Sequence, residues 1–581
     1  MPRSFSRPPV SVGSRPPLRQ AAPERWDRPF SEEMTDQDVD RLLAHPLFSS
    51  IQHTRFPVTM PLRGILKNDA ALRHYQRGEI IVRQGDYGHS AFLILEGRVL
   101  VCIDEPGPEQ LGRRQRVRPS LWGSFTRWLR QPRYGEQALP GGVRTAGEAE
   151  QLQAGARQRI FLQDVPGVLE ANRTVRLGPG ELFGELAALG RTPRTSTILT
   201  DQDALLLEIR WQGLRDIRKF SAEWKQLIDQ RYRERSLIVH LQETPLFRSL
   251  PEATLRLIAD ATRFEVFGEF EWQHAYQRTR AASDRERLEQ EPLIARQGEL
   301  PGGLLLIRSG FARVSAHYNH GERTETYLGK GDAFGLEESI ARWRGHPEPL
   351  RRSLRALGYV DALFIPAAVL EEHVFPRLAP AELARFEQPA DRPATAQPWQ
   401  GTTTTNAFLE FLVAQRFING RATMLIDLDR CTRCDDCVRA CAATHDNNPR
   451  FIRNGPEAAG VMVASACMHC VDPVCMIGCP TGAIHRASLD GQVEINPVTC
   501  IGCSVCAQSC PYGTIQMVAL RDEDGLPVVA EDTGAPIRRA TKCDLCTDQP
   551  AGPACVRACA HDALVRADMR AVDALNRWLQ R

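Results

Sequence analysis

The chain has 581 residues, 42% hydrophobic and 25% charged, with a formal net charge of +2. That length exceeds what one hydrophobic core organises, and the near-neutral balance gives no general reason to expect a nucleic-acid partner. Seventeen cysteines invite a disulfide framework, but the N-terminus MPRSFSRPPVSVGSRPPLRQ has neither a signal-peptide core nor a twin-arginine pattern, so reduced thiols in the cytoplasm are expected. No apolar run reaches the roughly 18 residues that span a bilayer, so any membrane contact is expected to be peripheral or through a partner.

In chain order, residues 1–32 are rich in Pro, Arg and Ser and read as a disordered tail. Two stretches that repeat each other follow. HPLFSSI (45–51) returns as TPLFRSL (244–250), and RQGDYGHSAFLILEGRVLV (83–101) as RQGELPGGLLLIRSGFARV (296–314). GPGELFGE (178–185) returns as GKGDAFGL (329–336), and DALLLEI (203–209) as DALFIPA (361–367). Two homologous domains are therefore expected over 33–235 and 236–387. Glycine-punctuated apolar runs flanked by helical segments give each an α+β reading, a small β-roll with helices around it.

The first domain carries an insertion at about 105–165, because Gly97 and Gly180 are 83 residues apart where Gly310 and Gly331 are 21 apart. Within it, 112–135 holds seven arginines and no acid, with Leu121, Trp122, Phe125, Trp128 and Leu129 at roughly helical spacing. Such a piece suits an anionic membrane or a partner's groove, or a helix packed back on the β-roll. The stretch QPADRPATAQPWQGTTTT (388–405) reads as a linker, and 406–581 as the last domain.

Sixteen cysteines fall between 431 and 559, in four quartets. They are Cys431, Cys434, Cys437 and Cys441; Cys467, Cys470, Cys475 and Cys479; Cys500, Cys503, Cys506 and Cys510; and Cys543, Cys546, Cys555 and Cys559. Closely spaced thiolates wrap three corners of a cubane, and in two-cluster ferredoxins the fourth, more distant cysteine ligates the neighbouring cluster. Four [4Fe–4S] clusters are expected. Zinc ribbons also use C-x2-C pairs, but need only two pairs per ion and have no use for the x2-x2-x3 run with its proline. His469, inside the second quartet, is expected to be a hydrogen-bonding neighbour, since that quartet is complete without it.

The runs CMHCVDPVCMIGCPTGAI, DGQVEINPVTCIGCSVCAQSCPYG and KCDLC…GPACVRAC closely resemble the four-cluster electron-transfer subunits of dimethyl-sulfoxide-reductase-type complexes. The resemblance covers roughly the last quarter of the chain. It implies that the first motif pairs with the fourth and the second with the third. One cluster would then take Cys431, Cys434, Cys437 and Cys559, and another Cys543, Cys546, Cys555 and Cys441. The inner two would take Cys467, Cys470, Cys475 and Cys510, and Cys500, Cys503, Cys506 and Cys479. It also implies redox partner proteins such as a molybdopterin or quinone-linked subunit, and a wire with no catalytic residue of its own. Arg433 departs from the family, which has a small residue there, and should raise the outer cluster's potential; Ala442 and Ala560 follow the last cysteines of motifs one and four.

FGELAALGRTPRTSTI (183–198) closely resembles the phosphate-binding cassette of cyclic-nucleotide-binding domains. The resemblance implies Gly184 at a helix start, Glu185 on a ribose hydroxyl, Arg194 on the cyclic phosphate of cAMP or cGMP, and Thr195 and Ser196 as further donors. The alternative is Arg194 in a structural ion pair and Gly184 in a turn. In the second domain the cassette begins GLEES, with Arg352 opposite Arg194 and seven extra residues between, so that domain is read as degenerate and mainly structural. An electron-transfer chain with a regulatory or docking module in front is the leading reading. A sensor or assembly platform is the other, although no helix-turn-helix follows the tandem domains to serve DNA binding.

Overall fold

The computed structural model describes residues 16–102, 174–387 and 403–578, apart from 28, 191–192, 270–271, 280–282, 319–320, 446, 488–489, 523, 548, 550 and 572–576. The basic insertion and most of the expected linker lie outside the described residues.

The first β-roll consists of two four-stranded antiparallel sheets. One runs Ala70–Tyr75, Ala204–Arg210, Ser90–Glu96, Leu182–Phe183; the other Ile80–Val82, Thr197–Thr200, Val99–Cys102, Thr174–Leu177. The run SAFLILE is almost continuously apolar because both faces of its strand are covered. Ala91 and Leu93 face the helices, while Phe92 and Ile94 face the space between the sheets. The second β-roll repeats this alternation: Leu304 and Leu306 join the helical core, and Leu305 and Ile307 the inner one. Its long strands Gly303–Tyr318 and Ser353–Pro366 pair with Gly321–Leu328 and Arg263–Gly268 in one sheet.

The repeat seen in sequence extends to backbone angles. Gly85, Gly97, Gly180 and Gly184 are left-handed at φ 84, 86, 82 and 77°, and their counterparts Gly298, Gly310, Gly331 and Gly335 at 90, 85, 92 and 85°. At Gly97 and Gly310 the facing strand is so close that a Cβ would fall on the carbonyl oxygens of Asp203 and Tyr359.

Three expected boundaries change. The tail is ordered over its described part: Arg19–Gln20 pairs in parallel with Val529–Ala530, and Arg25 bridges Asp69 at 2.6 Å and Asp216 at 3.1 Å. Backbone pairing and buried carboxylates outweigh a composition that reads as disordered. The 235/236 boundary falls inside one 22-residue helix, Ala222–Glu243, which gives Trp224 and Ile228 to the first core and Leu237 and Leu241 to the second. The linker ends before 405, because helix Thr403–Ala414 buries Phe408, Leu409 and Leu412 against Tyr327 and Leu357 of the second β-roll.

In the cysteine-rich part, strand Thr423–Asp427, just before motif one, pairs with Leu564–Ala567, just after motif four. Ile484–Arg486, after motif two, pairs with Val493–Ile495, before motif three. Gln516–Ala519 pairs with Arg538–Thr541 between motifs three and four. These ladders decide which motifs meet.

Candidate iron-sulfur centres and phosphate cassette

The first C-x2-C segment of each motif makes the same turn. The residue before its second cysteine is left-handed: Arg433 at φ 59°, His469 at 50°, Gly502 at 72° and Leu545 at 58°. A reversal of backbone hand within a short turn aims successive amide N–H groups into one concavity, the form of site that receives iron–sulfur clusters and other anions. Three of these residues accept the left-handed strain despite a side chain. At Gly502 glycine is required, because a Cβ would collide with the Arg538 carbonyl.

The thiols act on one another across motifs. Burial, then Cys555, Cys431 and Cys559, pushes the Cys437 thiol up to about 11. Burial followed by Cys510, Cys470 and Cys467 raises Cys475 well above the ordinary thiol range. Cys506 is pushed to about 12 by burial and then by Cys479, Cys500 and Cys503. Cys546 also reaches about 12, through burial, with Asp544, Cys543 and Cys441 adding to it. Cys479, Cys500, Cys503 and Cys506 line one cavity. Thiols crowded together, three of these four buried, are poorly disposed to ionise unless a cation lies among them, so this donor set fits an iron core. The sulfurs also receive donors from the protein: Arg450 N–H on Cys441 Sγ at 3.2 Å, Ala563 N–H on Cys559 Sγ at 3.3 Å, and the Arg566 guanidinium on Cys543 Sγ at 3.0 Å.

His469 behaves as a neighbour. Its Nδ1 accepts from Val493 N–H at 3.2 Å, and burial holds its pKa well below the usual range, with Lys542 and Arg566 adding to the effect. His445 was not singled out by the sequence. Burial opposes its charge, but the Asp544 and Cys441 hydrogen bonds outweigh that and push its pKa up to about 10. A histidine just past the end of helix Asp436–Thr444 gave no pattern by which to find it.

The phosphate-cassette residues assemble around Arg194. Gly184 is left-handed ahead of a short helix, Glu185–Gly190, and Glu185 is buried at its start. Thr195 is exposed and Ser196 half-buried. Arg194 itself is buried, donating to Gly184 O at 2.6 Å and Ser90 O at 2.7 Å, with its guanidinium 5.8 Å from the Phe92 ring centroid. Burial lowers its pKa to about 10 against the attraction of Glu208, Glu185 and Asp86. In the second β-roll Arg352 instead meets Glu325 at 2.5 Å, 30% exposed, and the extra residues extend the helix to Leu336–Trp343.

The loop that wraps Arg194 also touches the cysteine-rich domain, which no motif announced. Tyr87 lies under the Arg486 guanidinium at 5.1 Å and accepts from Arg421 at 3.2 Å, and His89 Nε2 lies 2.6 Å from Arg486 O. Arg486 in turn donates to the carbonyls of Cys470 and Val471 at 2.9 and 2.5 Å. From the second β-roll, Trp272 donates to Asp472 at 3.0 Å, and Arg416 lies over both Trp272 and Tyr276.

With this geometry in place, comparison with known proteins is informative. Residues 458–569 match the family model described as a 4Fe-4S dicluster domain, and 285–374 match the cyclic nucleotide-binding domain. The electron transport protein HydN of Escherichia coli is 32% identical over 167 residues, covering 26% of this chain and 91% of its own. Formate hydrogenlyase subunit 2 of Escherichia coli is 33% identical over 167 residues, covering 24% and 79% respectively. Among solved structures, the regulatory domain of Toxoplasma gondii PKA with cAMP aligns over 59% of this chain and 94% of its own at 15% identity, with a TM-score of 0.20.

The chain is an electron-transfer iron–sulfur protein that also carries a cyclic nucleotide-binding-type β-roll domain. More particularly, it belongs to the family of 4Fe-4S electron-transport proteins that includes HydN. No described helix is long and apolar enough to cross a membrane.

Proposed function

We propose that the chain relays single electrons through four [4Fe–4S] clusters as a cytoplasmic, non-catalytic component of a larger redox assembly. The ligand sets are Cys431, Cys434, Cys437 and Cys559; Cys543, Cys546, Cys555 and Cys441; Cys467, Cys470, Cys475 and Cys510; and Cys500, Cys503, Cys506 and Cys479. One observation supports this reading: the ladder from Thr423–Asp427 to Leu564–Ala567 puts the flanks of motifs one and four side by side, and a hairpin joins motifs two and three. When bound, each cluster supplies a one-electron relay. The surrounding chain excludes water and directs N–H groups to sulfur. Cys434 and Cys503 are the exposed thiols, so electrons are read as entering and leaving there. A molybdopterin or quinone-linked subunit would suit the ends of the wire. The likeness to a subunit of formate hydrogenlyase supports a place in a complex.

The first β-roll is read as the regulatory module. A cyclic nucleotide at Arg194 would compete with Gly184 O and Ser90 O for its donors and so shift the 85–90 loop that rests on Arg486. A redox-responsive platform without ligand uses the same contacts in the opposite direction. Anaerobic reconstitution of the full chain should give roughly sixteen irons and a paramagnetic signal after dithionite; zinc in place of iron would overturn the reading. Calorimetric titration with cAMP and cGMP separates the two uses of the β-roll, because only the first predicts binding that Arg194→Ala abolishes.

A further inference from the structure

Arg566 lies on the last strand of the cysteine-rich sheet, opposite Met424, which places its guanidinium between motifs four and two. One terminal nitrogen donates to Cys543 Sγ at 3.0 Å; the other donates to Ala422 O at 3.0 Å and to Cys467 O at 3.3 Å. Its Nε is buried and has no acceptor among the described residues.

His469 is the second buried donor there. Because Val493 N–H donates to its Nδ1, Nε2 carries the ring's proton, and that buried atom is directed to the backbone of Cys543. A buried Nε–H of Arg566 without an acceptor, beside a cysteine, is costly unless something accepts from it. Sulfur at the cluster positions would do so.

We propose that Arg566 sets the potentials of two neighbouring clusters at once, the one ligated through Cys543 and the one ligated through Cys467. The inference rests on the ligand sets given above. Reduction places one more negative charge on a cluster. A guanidinium keeps its proton throughout and cannot be neutralised. Tied to a ligand sulfur of one cluster and to the backbone of a ligand of the next, it stabilises the added electron on both without any proton transfer. Arg566 is thus a positioning and potential-setting residue, and it keeps the step between an outer and an inner cluster from becoming strongly uphill in either direction.

The test is a potentiometric titration of the anaerobically reconstituted full chain, followed by electron paramagnetic resonance, for wild type, Arg566→Gln and Arg566→Lys. Arg566→Gln should keep its iron and move two of the midpoints to more negative values. At a fixed potential the reduced-to-oxidised ratio of those two clusters should fall about tenfold, equivalent to about 59 mV for one electron. Arg566→Lys, which keeps the charge, should restore most of the shift. Full iron with all midpoints unmoved in Arg566→Gln overturns the inference, as does a shift of equal size in the lysine variant. If Arg566→Gln loses one cluster, the remaining member of the pair must still have shifted down, and an unmoved midpoint there also overturns it. Wild-type protein far short of sixteen irons would instead sink the four-cluster reading itself.

Discussion

In the first β-roll Arg194 is buried with both terminal nitrogens on backbone carbonyls, whereas in the second Arg352 lies partly exposed against Glu325. Around these two arginines the same four glycines turn left-handed at matching places. The turns are steric requirements of the roll, so they persist in both copies. The arginine environment is chemistry, so it can differ between copies that fold alike.

Substitutions can break or sharpen this comparison, read as shifts in the urea midpoint of the tandem domains within the full chain. The largest effect should come from Gly310→Ala, where left-handed strain adds to a collision with the Tyr359 carbonyl; a loss of about 3 to 5 kcal/mol is expected. Arg194→Ala should follow, at about 3 kcal/mol, since it strands the buried Gly184 and Ser90 carbonyls and the nearby Glu185. Gly331→Ala isolates backbone strain, because a Cβ there meets nothing within 4 Å; about 1 to 2 kcal/mol should be lost. Arg352→Ala should cost the least, under about 1 kcal/mol, as its ion pair with Glu325 is partly solvated. If Arg352→Ala proved as damaging as Arg194→Ala, the contrast between the two rolls would collapse.

The same division between local rule and long-range contact explains what was legible beforehand. The left-handed positions shared by the two rolls were readable because only glycine tolerates them cheaply, and each of those eight is a glycine. The strand in the described part of the tail was not legible, because Arg19–Gln20 pairs with Val529–Ala530, some five hundred residues away. Nothing in its composition records that partner. Arg566 and the 85–90 loop were missed for a related reason: a single arginine after a motif, or a Tyr-Gly-His run in a turn, has no spacing that distinguishes it from a solvated surface.

By itself the sequence determined the chemistry of this protein: cysteine spacing is dictated by the reach of a short backbone turn around a metal core, and such spacing survives in one dimension. Tertiary structure alone decided which strands flanking the motifs pair, which arginine lies between Cys543 and Cys467, and that the Arg194 loop rests on the cysteine-rich domain. Those relations depend on strand pairing between distant segments, where the contact energy is shared across two stretches of chain and neither stretch encodes it alone.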